Sequence, residues 1–206
     1  MKKPVIEFIF DFGSPNAYLV SKVLPLIAKW HGAEIKLIPC LLGGIFKATG
    51  NQAPFAAFAG IKGKLEYDHL EMQRFATKHE LHAFKMNPHF PINTLGLMRG
   101  MVAAQHLGVE SKCLDIVLTG MWEQGEKMDD PEVFLTCLNR GGLDGPRLLE
   151  IASSAVVKAE LVANTESAVA RGTFGIPTFF VGDEMFFGKE RIGQIEELLN
   201  KLASGP

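Results

Sequence analysis

Two short stretches carry the side chains best placed for chemistry. The first is Phe12-Gly13-Ser14-Pro15, which follows the apolar run Val5-Ile6-Glu7-Phe8-Ile9-Phe10-Asp11 and precedes a helical pattern. Serine is a favoured N-cap, and proline is at home in the first helical turn. In a parallel sheet such a strand-to-helix junction lies at the carboxyl end of the strands, where ligands bind. The free N–H groups and the dipole of the helix start favour an anion there. Taken alone, Ser14 reads first as a plain helix cap. The second stretch is Gly175-Ile176-Pro177-Thr178. Proline cannot donate to a ladder, so its place at the head of a buried strand is unusual. An edge strand with a trans bond is one account. A cis Ile176–Pro177 bond facing the Ser14 loop is the other, and it is the one predicted here.

Several other chemistries drop out. There is no G-x-G-x-x-G, and Gly60-Ile61-Lys62-Gly63-Lys64-Leu65 lacks the Ser/Thr that a phosphate loop needs after its lysine. Phe12 occupies the position where a nucleophile elbow requires glycine. Cys40, Cys113 and Cys137 are far apart and form no C-x-x-C, which disfavours a disulfide scaffold and a zinc ribbon alike. His79 and His82 share a helical face but lack the further donors of a metal site, and no metal is expected.

The elements that would position the two stretches follow from periodicity. Residues 5–11 and 34–39 read as strands. Leu19, Val23 and Ile27 mark one face of a helix between them, with Pro25 as a kink and Gly32 as its end. This is a β-α-β unit with a parallel sheet. From about residue 60 to 171 the pattern is helical. One helix carries Ile61, Leu65, Met72, Phe75 and Ala76, others span 95–106 and 111–124, and one runs from an Asp130-Pro131-Glu132 cap to Arg140; helical pattern continues over 148–151 and 155–171. After Gly175 a hairpin is expected, with strands at 176–181 and 185–187, and then an amphipathic helix to Leu202. The 206 residues, net charge of −2 and pI near 6.3 suit a globular domain with no strong pull towards nucleic acid or an anionic membrane. No apolar run has the length of a membrane span. Met1-Lys2-Lys3 leads straight into a strand, which is too short for a secretory segment, so a cytoplasmic protein is expected.

A β-α-β half with a reactive residue at the first helix start, closed by a β-β-α half that opens on X-Pro-Thr, resembles the thioredoxin superfamily. The helical insertion is similar to that of the DsbA branch. The resemblance implies an α/β thioredoxin-like fold from residues 1–45 and 172–206, with 46–171 as an inserted helical domain. More narrowly, Phe10-Asp11-Phe12-Gly13-Ser14-Pro15-Asn16-Ala17-Tyr18-Leu19 resembles the serine motif of 2-hydroxychromene-2-carboxylate isomerases and kappa-class glutathione transferases. So do Thr49-Gly50-Asn51, Lys64 with Tyr67, Trp122, and the run from Asn164 through Phe174-Gly175-Ile176-Pro177-Thr178 to Phe187-Gly188.

The resemblance implies a glutathione cofactor, a small aromatic or conjugated carbonyl substrate, and a homodimer. Redox relatives carry C-x-x-C where this chain has Ser14-Pro15-Asn16-Ala17. Serine cannot form a disulfide, but its hydroxyl can donate a hydrogen bond to a bound thiolate. A free thiol has a pKa of about 8.5, and a helix start with a hydroxyl donor lowers it. Ile176 beside Pro177 would pair its backbone with the cysteinyl unit, Lys64 would meet the glycyl carboxylate and Asn51 would support it. Lys64 reads equally as a solvated helix residue and Asn51 as a turn residue. Where the family has an Asp to hold the γ-glutamyl ammonium, this chain has Gly188-Lys189-Glu190-Arg191. Glu190 keeps the charge on a longer stem, and Lys189 adds a cation. The leading expectation is a glutathione-dependent isomerase that works by reversible thiolate addition. The alternatives are a kappa-like transferase or peroxidase, a non-catalytic thioredoxin-fold binding or chaperone module, and a redox enzyme using Cys40. Phe46, Phe55, Phe58 and Trp122 are candidate walls of an acceptor pocket, although aromatics there are more often core.

Overall fold

A computed structural model describes residues 3–204. Met1 and Lys2, part of the segment read against a secretory leader, lie outside the described residues. β1 (Val5–Phe10) and β2 (Glu34–Pro39) pair in parallel, with α1 (Pro15–Trp30) as the crossover. Ile6, Phe8, Ile9 and Phe10 are all buried, so residues on both faces of β1 are covered and the strand is apolar nearly throughout. α1 continues past Pro25 to Trp30, and Gly32 follows with φ 61°.

Two short helices that periodicity did not reveal come next, α2 (Leu42–Thr49) and α3 (Pro54–Ala57). Both are too short to display a helical period. Then come α4 (Lys64–Lys78), α5 (Leu95–His106), α6 (Glu110–Trp122), α7 (Pro131–Arg140), α8 (Gly145–Ala152) and α9 (Ala155–Ala170). α4 opens later than Ile61, because Gly63 stands before it in a left-handed conformation and Ile61 is left exposed in the preceding turn.

β3 (Thr178–Val181) and β4 (Glu184–Phe187) form the expected hairpin, and α10 (Ile192–Ser204) follows a short 3-10 turn at Lys189–Arg191. β3 starts two residues later than its β-rich run, since Pro177 has no N–H for the ladder. It pairs antiparallel with β1, giving the order β2-β1-β3-β4. Pro177 therefore heads an interior strand, and the Ile176–Pro177 bond is cis as predicted. Phe90–Pro91 is also cis, and nothing in the sequence pointed to it. The architecture is a DsbA-like thioredoxin fold, a mixed sheet built from both ends of the chain with helices inserted between them.

Two interactions fasten the inserted helices to the β1–α1 loop. Trp122, at the end of α6, has no exposed surface, and its Nε1 donates to the Phe12 carbonyl at 3.0 Å. The second is the Asp11 carboxyl, which is also wholly buried. Its Oδ1 accepts the Gly13 N–H at 2.8 Å and its Oδ2 accepts the Leu42 N–H at 2.7 Å. The Thr94 side chain adds a third hydrogen bond. Leu42 is the first residue of α2, whose own N-cap, Leu41, offers no side-chain oxygen. Asp11 thus caps a helix 31 residues away. Burial pushes its carboxyl above the usual Asp range, and the three hydrogen bonds oppose that rise without cancelling it.

Trp122→Phe removes the N–H and leaves the buried Phe12 carbonyl without it. The expected loss is roughly 2–3 kcal/mol, from the unpaired acceptor and the space the smaller ring leaves. Urea unfolding followed by circular dichroism checks this; a change below about 0.5 kcal/mol means the bond is dispensable. Asp11→Asn replaces one acceptor with a donor facing a backbone N–H, at roughly 1–3 kcal/mol. A raised folded pKa means the folded chain holds its proton more tightly than the unfolded chain. Wild-type stability from this group is then full below the unfolded carboxyl value of about 3.9 and is lost as pH rises through the folded value. The cost of Asp11→Asn should therefore shrink as pH rises through that window, read from denaturation midpoints at several pH values. A cost that grows with pH overturns the assignment.

Candidate functional site

Ser14 caps α1 with φ −101° and ψ 113°, and its Oγ accepts the Ala17 N–H at 3.2 Å. The cap reading of the sequence therefore holds, and the same hydroxyl also does more. It donates to the Ile176 carbonyl at 3.0 Å, across 162 residues of sequence. The two stretches that stood out in the sequence meet in this bond.

Asn51, and through Gly188 the turn that carries Lys189 and Glu190, attach to the same segment, 174–177. The Asn51 side chain donates to the Phe174 carbonyl at 2.8 Å, while its Oδ1 accepts the Gln52 N–H. Gly188 donates its N–H to the Pro177 carbonyl at 2.9 Å, which brings the Lys189–Arg191 turn against the loop. Gly188 has φ 95°, a conformation that favours glycine, whereas the Glu190 carboxylate that a Cβ there would approach could swing aside. Lys64 is the exception. It opens α4, pairs with Asp68 and lies over the Phe58 ring at 4.9 Å, with no contact to the 174–177 segment among those resolved.

Lys189 and Glu190 separate by burial. The Lys189 side chain is only 4% exposed, sits 5.8 Å from the Phe75 ring centroid and pairs with Glu190, whose side chain is 55% exposed. The cation that looked disruptive in the sequence is tucked against α4 and neutralised by its neighbour. Glu190 keeps a solvent-facing carboxylate.

Aromatic rings lead towards the loop from outside. Phe55, exposed on α3, meets Phe90 edge-on at 5.6 Å, and Phe90 lies 6.0 Å from Trp122. Of the candidate walls, Trp122 is core and Phe55 is surface, while Phe46 and Phe58 are half-buried.

Two further features escaped the sequence reading. Among the described residues, the Asn16 Oδ1 in the first turn of α1 and the Thr173 Oγ1 three residues before Ile176 are buried without a hydrogen-bond partner. Native proteins leave few such atoms unpaired. Asp11 was read only as the end of a strand. An acid closing a run of aromatic and β-branched residues was the available signal.

No cysteine contributes a reactive sulfur. All three are free and buried. Burial, aided by the Asp11 charge, pushes the Cys40 thiol up to about 12, and burial alone does the same to Cys113. The Cys137 thiol, buried and donating to Glu126 at 2.6 Å, is also pushed up to about 12. A thiol held that high is protonated at neutral pH, which removes the basis for a redox enzyme using Cys40.

The chain is similar to known proteins over nearly its whole length. The chain is 27% identical over 201 residues to 2-hydroxychromene-2-carboxylate isomerase of Pseudomonas putida, covering 96% of this chain and 95% of that one. It is 25% identical over 219 residues to glutathione S-transferase kappa 1 of Homo sapiens, covering 98% and 93%. A solved structure of 2-hydroxychromene-2-carboxylate isomerase superposes with a TM-score of 0.84 at 25% identity, over 97% of this chain and 96% of that one. The model of the DSBA-like thioredoxin domain matches residues 5–200, and the chain belongs to that family.

Proposed function

We propose that this chain is a glutathione-dependent isomerase of the 2-hydroxychromene-2-carboxylate isomerase type, acting on a small conjugated carbonyl substrate. Its relatives along nearly the full length are named isomerases and glutathione transferases, and this chain is an enzyme of that kind. The observation that carries the reading is the bond between Ser14 and Ile176, which joins a helix start without sulfur to a backbone carbonyl at the head of an interior strand. Three free cysteines suit a reducing compartment such as the cytoplasm.

When bound, glutathione supplies a thiolate that adds reversibly to the conjugated system of the substrate. The chain's own part is to hold and polarise that sulfur. The Ile176 carbonyl accepts the cysteinyl N–H, as an added strand would. That releases the Ser14 hydroxyl, whose single proton turns from Ile176 to the sulfur. The α1 start favours the negative charge. Glu190 would hold the γ-glutamyl ammonium, and Lys64, which now pairs with Asp68, would have to leave it to meet the glycyl carboxylate, with Asn51 in support. The ring series Phe55, Phe90 and Trp122 suits an aromatic acceptor. A kappa-like transferase is the second reading, favoured by the equally long similarity to the human kappa protein; it shares the thiolate site and differs in the acceptor.

Ser14→Ala removes a hydrogen bond to a charged group, worth about 1.5–3 kcal/mol. Glutathione-dependent turnover should fall roughly tenfold to a hundredfold, and the pKa of the bound thiol should rise. Titrating the thiolate absorbance in wild type and variant measures the second effect directly. An unchanged thiol pKa and rate would leave Ser14 as a helix cap and move the active site elsewhere. Calorimetric titration with glutathione separates the roles at the last turn. Glu190→Gln should weaken binding by about tenfold or more, the scale of one charged hydrogen bond, whereas Lys189→Met should leave it equal or tighter. Loss of binding in Lys189→Met would mean that the ligand presents an anion there, and a different thiol would have to replace glutathione.

A further inference from the structure

A cavity of about 220 Å³ opens between the start of α5, the loop at Met128-Asp129, the start of α7 and the end of α8. Its walls are largely apolar, from Leu97, Met128, Pro131, Phe134, Leu149 and Ala152. One cation lines it. Arg99 makes no hydrogen bond or ion pair among the described residues, and its Nε is buried with no partner. Arg74, Arg140, Arg147 and Arg171 each sit on a glutamate, and Arg191, the other arginine without an ion pair among the described residues, is exposed to water. The only acid in the lining is Asp129, and it faces Lys127 at 3.9 Å.

Leaving a guanidinium half-buried without an acceptor costs free energy that a ligand can recover. Its planar fork matches a carboxylate, which it holds through two parallel N–H bonds. The start of α5 borders the same space through Asn93, Gly96 and Leu97, with the Leu95 N–H already donated to Asn93 Oδ1 at 3.1 Å. The apolar walls call for an apolar body. The volume is below the roughly 300–1,000 Å³ of sites for drug-sized ligands, so that body is one ring or a short branched chain.

We propose that this cavity binds a small monocarboxylate with an apolar body, its carboxylate on Arg99. The site is distinct from the Ser14 loop. That loop rests on other residues of α5, with the Phe12 N–H on the Met98 sulfur at 3.5 Å and Gly13 against Thr94.

Calorimetric titration of the whole chain with benzoate and with benzamide, in the absence of any thiol, tests this. The two probes have nearly the same shape and differ in charge. Benzoate should bind saturably at one site per chain, and benzamide about tenfold more weakly or worse. Arg99→Gln should reduce the preference for benzoate to near parity. Gly96→Leu places a side chain where nothing now lies within 4 Å of the glycine, and should abolish binding of both probes with the charge intact. Equal affinity of the two probes for wild type, or no benzoate binding at millimolar concentrations, overturns the proposal without recourse to any variant. Undiminished benzoate binding in Gly96→Leu overturns it too, and loss of benzoate binding in Ser14→Ala would assign the ligand to the Ser14 loop instead.

Discussion

The Asp11 carboxyl receives the N–H groups of Gly13 and Leu42 and the side chain of Thr94, so three segments distant in sequence converge on one buried acid. Each of these segments is a piece of the candidate site or of its support. Gly13 belongs to the loop that presents Ser14. Leu42 opens the helix that leads to Asn51, and Thr94 stands at the start of α5. A buried carboxyl is an unfavourable choice on desolvation grounds alone. Here it is tolerated because two backbone donors and a helix start sit on its oxygens. An apolar residue at this position would leave both N–H groups unpaired and α2 uncapped, and the β1–α1 loop would lose its fixed angle.

That fixed angle gives the Ser14–Ile176 bond its meaning. A hydroxyl on a mobile loop would spend its proton on water. Ser14 instead spends it on the carbonyl before Pro177, and does so while accepting from Ala17. The donor is therefore held in reserve in the ligand-free chain. A ligand that brings its own N–H to Ile176 gains the acceptor and sets the hydroxyl free in the same event, with no net loss of hydrogen bonds. The pairing of Lys189 with Glu190 follows a related logic on a smaller scale. A cation that would repel an ammonium is buried against Phe75, and an acid is left facing outward.

Much of this was legible in the sequence, and the limits have physical causes. The β-α-β and β-β-α halves announced themselves because buried strands and amphipathic helices have periods, and Ser14-Pro15 and Ile176-Pro177 because caps and prolines are local signals. α2 and α3 were silent because eight and four residues do not establish a period. The burial of Lys189 was silent as well, since a lysine next to a glutamate in a short turn reads as surface; only the packing of the turn against α4 hides it. Asp11 is the instructive case. Its chemistry comes from partners 31 and 83 residues along the chain, and no local pattern encodes such partners.

The electrostatics of the loop set a limit on how the proposed thiolate is stabilised. The start of α1 offers roughly half a positive charge. Asp11, two residues before Gly13, opposes it whenever ionised, as its effect on Cys40 illustrates. The two backbone donors on Asp11 draw part of its field inward, and its raised pKa reduces the fraction ionised, but neither makes it an ally of a second anion nearby. The helix field alone is therefore a modest lever on a thiol at this position. A direct donor in contact with the sulfur is not subject to that cancellation, because a hydrogen bond to a charged atom acts at contact distance while the helix start and the Asp11 carboxylate act from further away and with opposite sign. Stabilisation of a thiolate at this loop then rests mainly on the one hydroxyl, and a cysteine at position 14 would lose the donor that the rest of the loop is arranged to supply.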